Sequence, residues 1–149
     1  MISLQEIETD LKEALKARNQ IAADTLRGLK ARIQSVQTSA AGSHALAEEE
    51  LVALVKSEIK RRKEAAESFT AGSRPEMAAK ELQEAQILEK YLPAQMSEVE
   101  ISQLLDSVIA EHSYTSADFG KAMGMLKAKV GQSADGSLVA KLLKEKLTN

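Results

Sequence analysis

Apolar side chains recur at intervals of three and four along much of the chain. Leu4, Ile7, Leu11 and Leu15 form one set, Ala22, Leu26, Leu29, Ile33 and Val36 a second, and Leu51, Val55, Ile59, Ala66 and Phe69 a third. Such spacing gathers them on one side of an α-helix, and no stretch alternates with period two for long enough to argue a strand. Helix starts are marked as well. Ser3 with Glu6, Ser73 with Glu76 and Ser97 with Glu100 each fit a capping box, in which a hydroxyl and a carboxylate satisfy the first free amides. Pro75 falls near a first helical turn, where its missing N–H costs nothing. The pattern predicts seven helices, at roughly 3–17, 20–37, 47–70, 75–92, 97–112, 116–130 and 136–147. Thr38 to His44 reads as a small polar loop, and Pro93-Ala94-Gln95-Met96 as a break between domains. The expected fold is all-α, with a larger N-terminal helical bundle, residues 1–92, followed by a small three-helix C-terminal module, residues 97–149.

Composition narrows the chemistry. At 149 residues the chain holds one domain or two small ones. It has no cysteine, which removes disulfides, thiolate metal sites and thiol nucleophiles together. His44 and His112 are far apart in sequence, so no histidine metal cage is expected. There is no phosphate-binding Gly-Lys-Ser/Thr loop, no Gly-x-Gly-x-x-Gly, no Gly-x-Ser-x-Gly and no His-Glu-x-x-His. The expectation is therefore no metal, no cofactor and no catalytic residue to name. Met1 to Leu15 carries no basic and apolar leader and no run of about 18 apolar residues occurs. A cytoplasmic protein that does not enter a membrane is the expectation.

Charge is nearly balanced overall, 20 Lys and Arg against 22 Asp and Glu, but it is unevenly placed. Pro93 to Asp118 holds five acids and no Lys or Arg, whereas Phe119 to Asn149 holds six Lys against Asp135 and Glu145. On the sixth helix, Phe119, Met123, Leu126 and Val130 project to one side. Gly120, Gly124 and Ala128 form a strip without bulk on the other, bordered by Lys121, Lys127 and Met125. Glycine in a helix interior costs about 1 kcal/mol relative to alanine, so two of them suggest that another backbone comes close. That backbone is either a neighbouring helix or a sugar–phosphate chain whose phosphates the lysines neutralise. The turn Gly131 to Gly136 then opens the last helix with Asp135 as its N-cap, and Lys141 and Lys144 share that helix's side away from Leu138, Val139, Leu142 and Leu143.

In the N-terminal part, Lys60-Arg61-Arg62-Lys63 is the densest basic run, with weak pairs expected from Lys60 to Glu64 and Lys63 to Glu67. Arg62 falls inside the apolar arc of its helix, and Glu81 and Glu84 fall inside the arc of Met77, Leu88, Tyr91 and Leu92. A charge facing a core needs a partner, so an ion pair from Arg62 to Glu81 or Glu84 is expected, fixing helix register. A catalytic carboxylate pair is the alternative reading of the two acids.

Three segments together resemble the YqeY family: Leu26-Arg27-Gly28-Leu29-Lys30-Ala31; Ile59 to Glu64 with Ala71-Gly72-Ser73-Arg74, Glu81 and Ile87 to Pro93; and Phe119 to Gly124 with Ala134-Asp135-Gly136-Ser137-Leu138-Val139. Members share a tail domain with the B subunit of the glutamine-dependent aminoacyl-tRNA amidotransferase. The resemblance implies an all-helical protein linked to tRNA, with Gly120, Lys121, Gly124 and the Ala134-Asp135-Gly136 turn as contact positions. Many relatives have a basic residue where Ser133 stands here. The leading expectation is a non-catalytic accessory protein that binds tRNA or another structured RNA weakly and in a salt-sensitive way. Lys121, Lys127, Lys129, Lys141 and Lys144 would serve as the contacts. Two alternatives are an adaptor that receives a helix from a protein of the translation or aminoacylation machinery, and an accessory component of a carbon–nitrogen ligase that uses glutamine as amido donor.

Overall fold

A computed structural model describes residues 2–39 and 44–148. The described residues form α-helices and short 3₁₀ turns without strands, so the fold is all-α. The helices are α1 Leu4–Lys16, α2 Gln20–Ser39, α3 Glu48–Ala71, α4 Pro75–Glu89, α5 Glu98–His112, α6 Phe119–Val130 and α7 Gly136–Thr148. α2 runs past the start of the expected polar loop: Thr38 is still helical and its hydroxyl donates to the Gln34 carbonyl at 3.0 Å. The middle of that loop lies outside the described residues. The chain divides into two compact units, Met1–Leu92 and Pro93–Asn149.

The first unit is built from two helical hairpins, α1 with α2 and α3 with α4. Each hairpin closes on a residue in the left-handed region, Arg18 at φ 57° and Ser73 at φ 59°. The second turn corrects a sequence expectation. Ser73 does not cap α4: the N-cap is Arg74, with no side-chain bond, and Pro75 occupies the first turn. Ser73 instead helps to end α3, with its N–H donating to the Thr70 carbonyl and the Arg74 N–H reaching back to Phe69 at 2.8 Å. Helix termination uses the residue that the capping box would have needed. Ser3 accepts from the Glu6 amide at 3.1 Å, and Ser97 and Glu100 make the full reciprocal box. α3 starts on Ala47, whose N–H donates to the Glu50 carboxylate at 2.7 Å.

The core of this unit joins Ile7, Leu26, Leu29, Ile33, Leu51, Val52, Val55, Ile59, Ala85, Leu88 and Tyr91. Each large aliphatic side chain buried there contributes about 1.5–3 kcal/mol. Two arcs are shifted relative to the sequence pattern. Leu15 is 45% exposed while Ala14 is buried, and Met77 is 45% exposed while Ala78 and Ala85 face inward. Alanine lets helices approach closely, and the bulkier neighbour is left at the rim. The second unit has its own core of Ile101, Leu105, Val108, Ala122, Leu126, Val130, Ala134, Val139 and Leu143.

Candidate nucleic-acid interface

α6 begins later than the pattern suggested, because Ser116–Asp118 forms a 3₁₀ turn first. Asp118 makes that turn. Its carboxylate accepts from the Thr115 N–H at 2.9 Å, and this bond holds the carboxyl below its ordinary value, with Lys121 adding a smaller pull in the same direction. The buried residues of α6 are Ala122, Leu126 and Val130. Phe119, the first residue of the helix, is not a core residue. It is 36% exposed and, with Ser116, Lys144, Leu147 and Thr148, lines an open cavity of about 420 Å³.

The opposite face carries the expected strip. Gly120, Gly124 and Ala128 are exposed, and a Cβ built on either glycine meets no atom within 4 Å. Lys121, Lys127 and Lys129 on α6 and Lys141 and Lys144 on α7 are all exposed. Among the described residues none of the five is in an ion pair, whereas Lys146 is spent on Asp106 at 2.7 Å. The strip is a bare ridge with cations at its edges.

The turn that follows is fixed from both sides. Gly131 takes φ 51°, a conformation glycine adopts without strain. Ser133 donates its hydroxyl to the Val130 carbonyl and accepts at its own carbonyl from the Met96 N–H at 2.7 Å. The Gln132 carbonyl accepts from the Gln95 side chain at 3.0 Å. Ala134 is buried, and the exposed Asp135 carboxylate accepts from the Ser137 N–H at 3.0 Å, which is the N-cap arrangement for α7. Gly136 is exposed, with open space where a Cβ would stand. Of the Ala134-Asp135-Gly136 segment, Asp135 and Gly136 lie on the surface, and the Asp135 carboxylate is already engaged.

In the first unit, Arg62 is nearly enclosed. Its Nε lies 3.3 Å from Glu84 Oε2 and its Nη1 lies 3.0 Å from Glu58 Oε2, with side-chain exposures of 15%, 15% and 11%. Glu84, not Glu81, faces the guanidinium. Glu58 is the member that the sequence did not single out; it sits four residues before Arg62, and that one-turn spacing was the available signal. Arg32 Nε and Arg61 Nη1 also approach Glu58 Oε1, at 3.6 and 3.3 Å. Lys63 reaches across to Glu89 at 2.9 Å rather than along its own helix to Glu67, because α4 offers a carboxylate nearer its reach. A further polar contact escaped the pattern: the buried Tyr91 hydroxyl donates to Asp10, which also pairs with Lys90 at 3.0 Å.

These features define an all-helical protein of two units, one with an arginine held between two nearly enclosed carboxylates and the other with a lysine-edged ridge. The sequence pattern described as "Yqey-like protein" matches residues 4–147, and the chain belongs to that family. It is also similar to "Altered inheritance of mitochondria protein 41, mitochondrial" of the fungus Pyrenophora tritici-repentis. The two are 25% identical over 148 residues, covering 97% of this chain and 80% of the relative. Among the described residues no helix is long and apolar enough to cross a membrane, and no three His, Asp or Glu gather as a metal site.

Proposed function

We propose that this YqeY-like protein is a non-catalytic accessory factor that binds structured RNA, tRNA first, along the α6 ridge. Its C-terminal unit would do what the related tail of the tRNA amidotransferase does. The observation that carries the reading is the open face of Gly120 and Gly124, bordered on α6 by Lys121 and Lys127, in a unit whose Lys129, Lys141 and Lys144 are also exposed, none of the five with an ion-pair partner among the described residues. A bare helix face admits a backbone, and lysine at its edge neutralises phosphates without reading bases. Recognition of shape and backbone suits folded RNA, whose deep, narrow groove hides its base edges.

The direct test is a mobility shift with tRNA at low salt, comparing the natural chain with Lys121→Glu plus Lys127→Glu. The natural chain is expected to shift tRNA and the variant to fail. Absence of any shift at low salt would retire the proposal. A protein partner whose binding survives high salt and is lost in Gly124→Leu would identify a protein helix as the ligand of the ridge instead. The proposed place of action is the cytoplasm. The name of the Pyrenophora relative puts that protein in mitochondria, so cell fractionation checks this part separately.

A further inference from the structure

The arginine cluster of the first unit holds more positive charge than its carboxylates cancel, and one guanidinium nitrogen is left without a hydrogen bond among the described residues. Arg62 has three nitrogens. Nε is fixed by Glu84, and Nη1 by both the carboxylate and the backbone carbonyl of Glu58, at 3.0 and 3.3 Å. Nη2 makes no hydrogen bond to any described residue, yet it is not a buried unsatisfied group. It looks toward Gly28 of α2: a Cβ placed on that glycine would stand 3.8 Å from Nη2, and no other atom would lie within 4 Å of it. Gly28 is exposed, so the absence of a side chain keeps a passage open to the two N–H bonds of Nη2. Arg32, one turn along α2 from Gly28, and Arg61 both approach the single oxygen Glu58 Oε1, and they are 47% and 67% exposed. Glu58 thus holds two half-exposed guanidiniums side by side, next to a third whose orientation is locked.

Three arginines share two carboxylates, Glu58 and Glu84, which leaves one positive charge uncancelled. A guanidinium held by carboxylates loses little freedom on binding and presents its remaining N–H pair in a fixed plane, the geometry that suits a tetrahedral oxyanion. We infer that Gly28, Arg32, Arg61 and Arg62 form a phosphate-binding site on the α2–α3 face, separate from the α6 ridge. Arg62 Nη2 donates to one phosphate oxygen across the bare Gly28 backbone, and Arg32 and Arg61 swing from Glu58 to the others. The phosphate belongs either to an RNA backbone or to a free phosphorylated small molecule.

The test is an NMR titration of the full chain with sodium phosphate against sodium chloride at matched ionic strength. Saturable shifts of the Gly28 amide and of the Arg62 guanidinium signals are expected. They should vanish in Arg32→Gln plus Arg61→Gln, two exposed positions whose change leaves the core untouched. They should vanish also in Gly28→Leu, where a better helix former covers Nη2 and thermal stability does not fall. Shifts that never saturate in the natural chain, or that persist in both variants, would overturn the site. Repeating the tRNA mobility shift with the arginine variant separates the sources. A loss of about tenfold in affinity assigns the phosphate to RNA, and unchanged tRNA affinity beside lost phosphate binding assigns it to a small molecule. A chain that shifts no tRNA at all refutes the RNA proposal above, while the phosphate titration still decides this one.

Discussion

Arg62 concentrates the energetics of the first unit at one residue. Its two carboxylate partners are as enclosed as it is, so removing the cation strands Glu84, which has no other ion pair among the described residues, and leaves Glu58 only the exposed Arg32 and Arg61. Arg62→Met is expected to lower unfolding stability by about 2–3 kcal/mol, read as a lower denaturation midpoint. Arg61→Gln, at a side chain 67% exposed, should cost less than about 1 kcal/mol. Equal effects of the two changes would show that enclosure is not what matters. Gly124 carries the opposite prediction. It sits mid-helix with open space at its Cβ, so Gly124→Ala should stabilise the protein by about 0.5–1 kcal/mol. If the strip serves the proposed contact, the same variant should bind tRNA more weakly than the natural chain. If it binds as well and melts higher, the strip has no ligand.

At the level of helices, the segment after α4 is tied to α1 by Tyr91 and Asp10, and this tie is sensitive to pH at both ends of the scale. Burial, with the bond to Asp10, pushes the Tyr91 hydroxyl above its ordinary value of 10.0. Asp10 is held below its ordinary 3.8, chiefly by the bond from Tyr91. A raised tyrosine contributes stability that is complete below pH 10.0 and is lost as pH rises beyond it. A lowered aspartate contributes stability that is complete above pH 3.8 and is lost as pH falls through its folded value. Tyr91→Phe should cost about 2 kcal/mol near neutral pH, the worth of a hydrogen bond to a charged acceptor, and should flatten the alkaline fall in denaturant midpoint. A fall of unchanged steepness in that variant would place its origin elsewhere. Helix content and helix order were legible in the sequence because periodicity and capping are local signals, as Ser97 with Glu100 illustrates. What escaped was set by packing between elements. Phe119, at the first residue of α6, stays at the rim of the second core while Ala122 is buried, and Ser73 ended α3 rather than starting α4. The tie from Tyr91 to Asp10 spans most of the first unit in sequence, and no periodicity reports a contact of that range. The glycine strip was visible beforehand for the opposite reason, since its residues are on one helix and face no neighbour.

For the whole molecule, a net charge of −2 means that any attraction to RNA has to come from local placement rather than from the total. That has a measurable consequence. Each lysine that neutralises a phosphate releases condensed counterions, giving a slope of about −0.7 to −0.9 in log affinity against log salt per contact. If all five exposed lysines of α6 and α7 meet phosphates, the slope is near −4, equivalent to a loss of about 100- to 500-fold between 50 and 200 mM salt. Lys121→Glu plus Lys127→Glu should make the slope shallower by about 1.5, beyond simply weakening the complex. The arginine site adds to this figure if its phosphate is part of the same RNA, and Arg32→Gln plus Arg61→Gln would then flatten the slope independently of the lysine changes. A fluorescence anisotropy titration across salt concentrations measures all three slopes with one preparation of tRNA. A salt-independent affinity would mean that the ridge is contacted through its glycines and methionines by an uncharged surface. A steep slope left unchanged by both sets of substitutions would place the phosphate contacts on a face of the molecule that neither site includes.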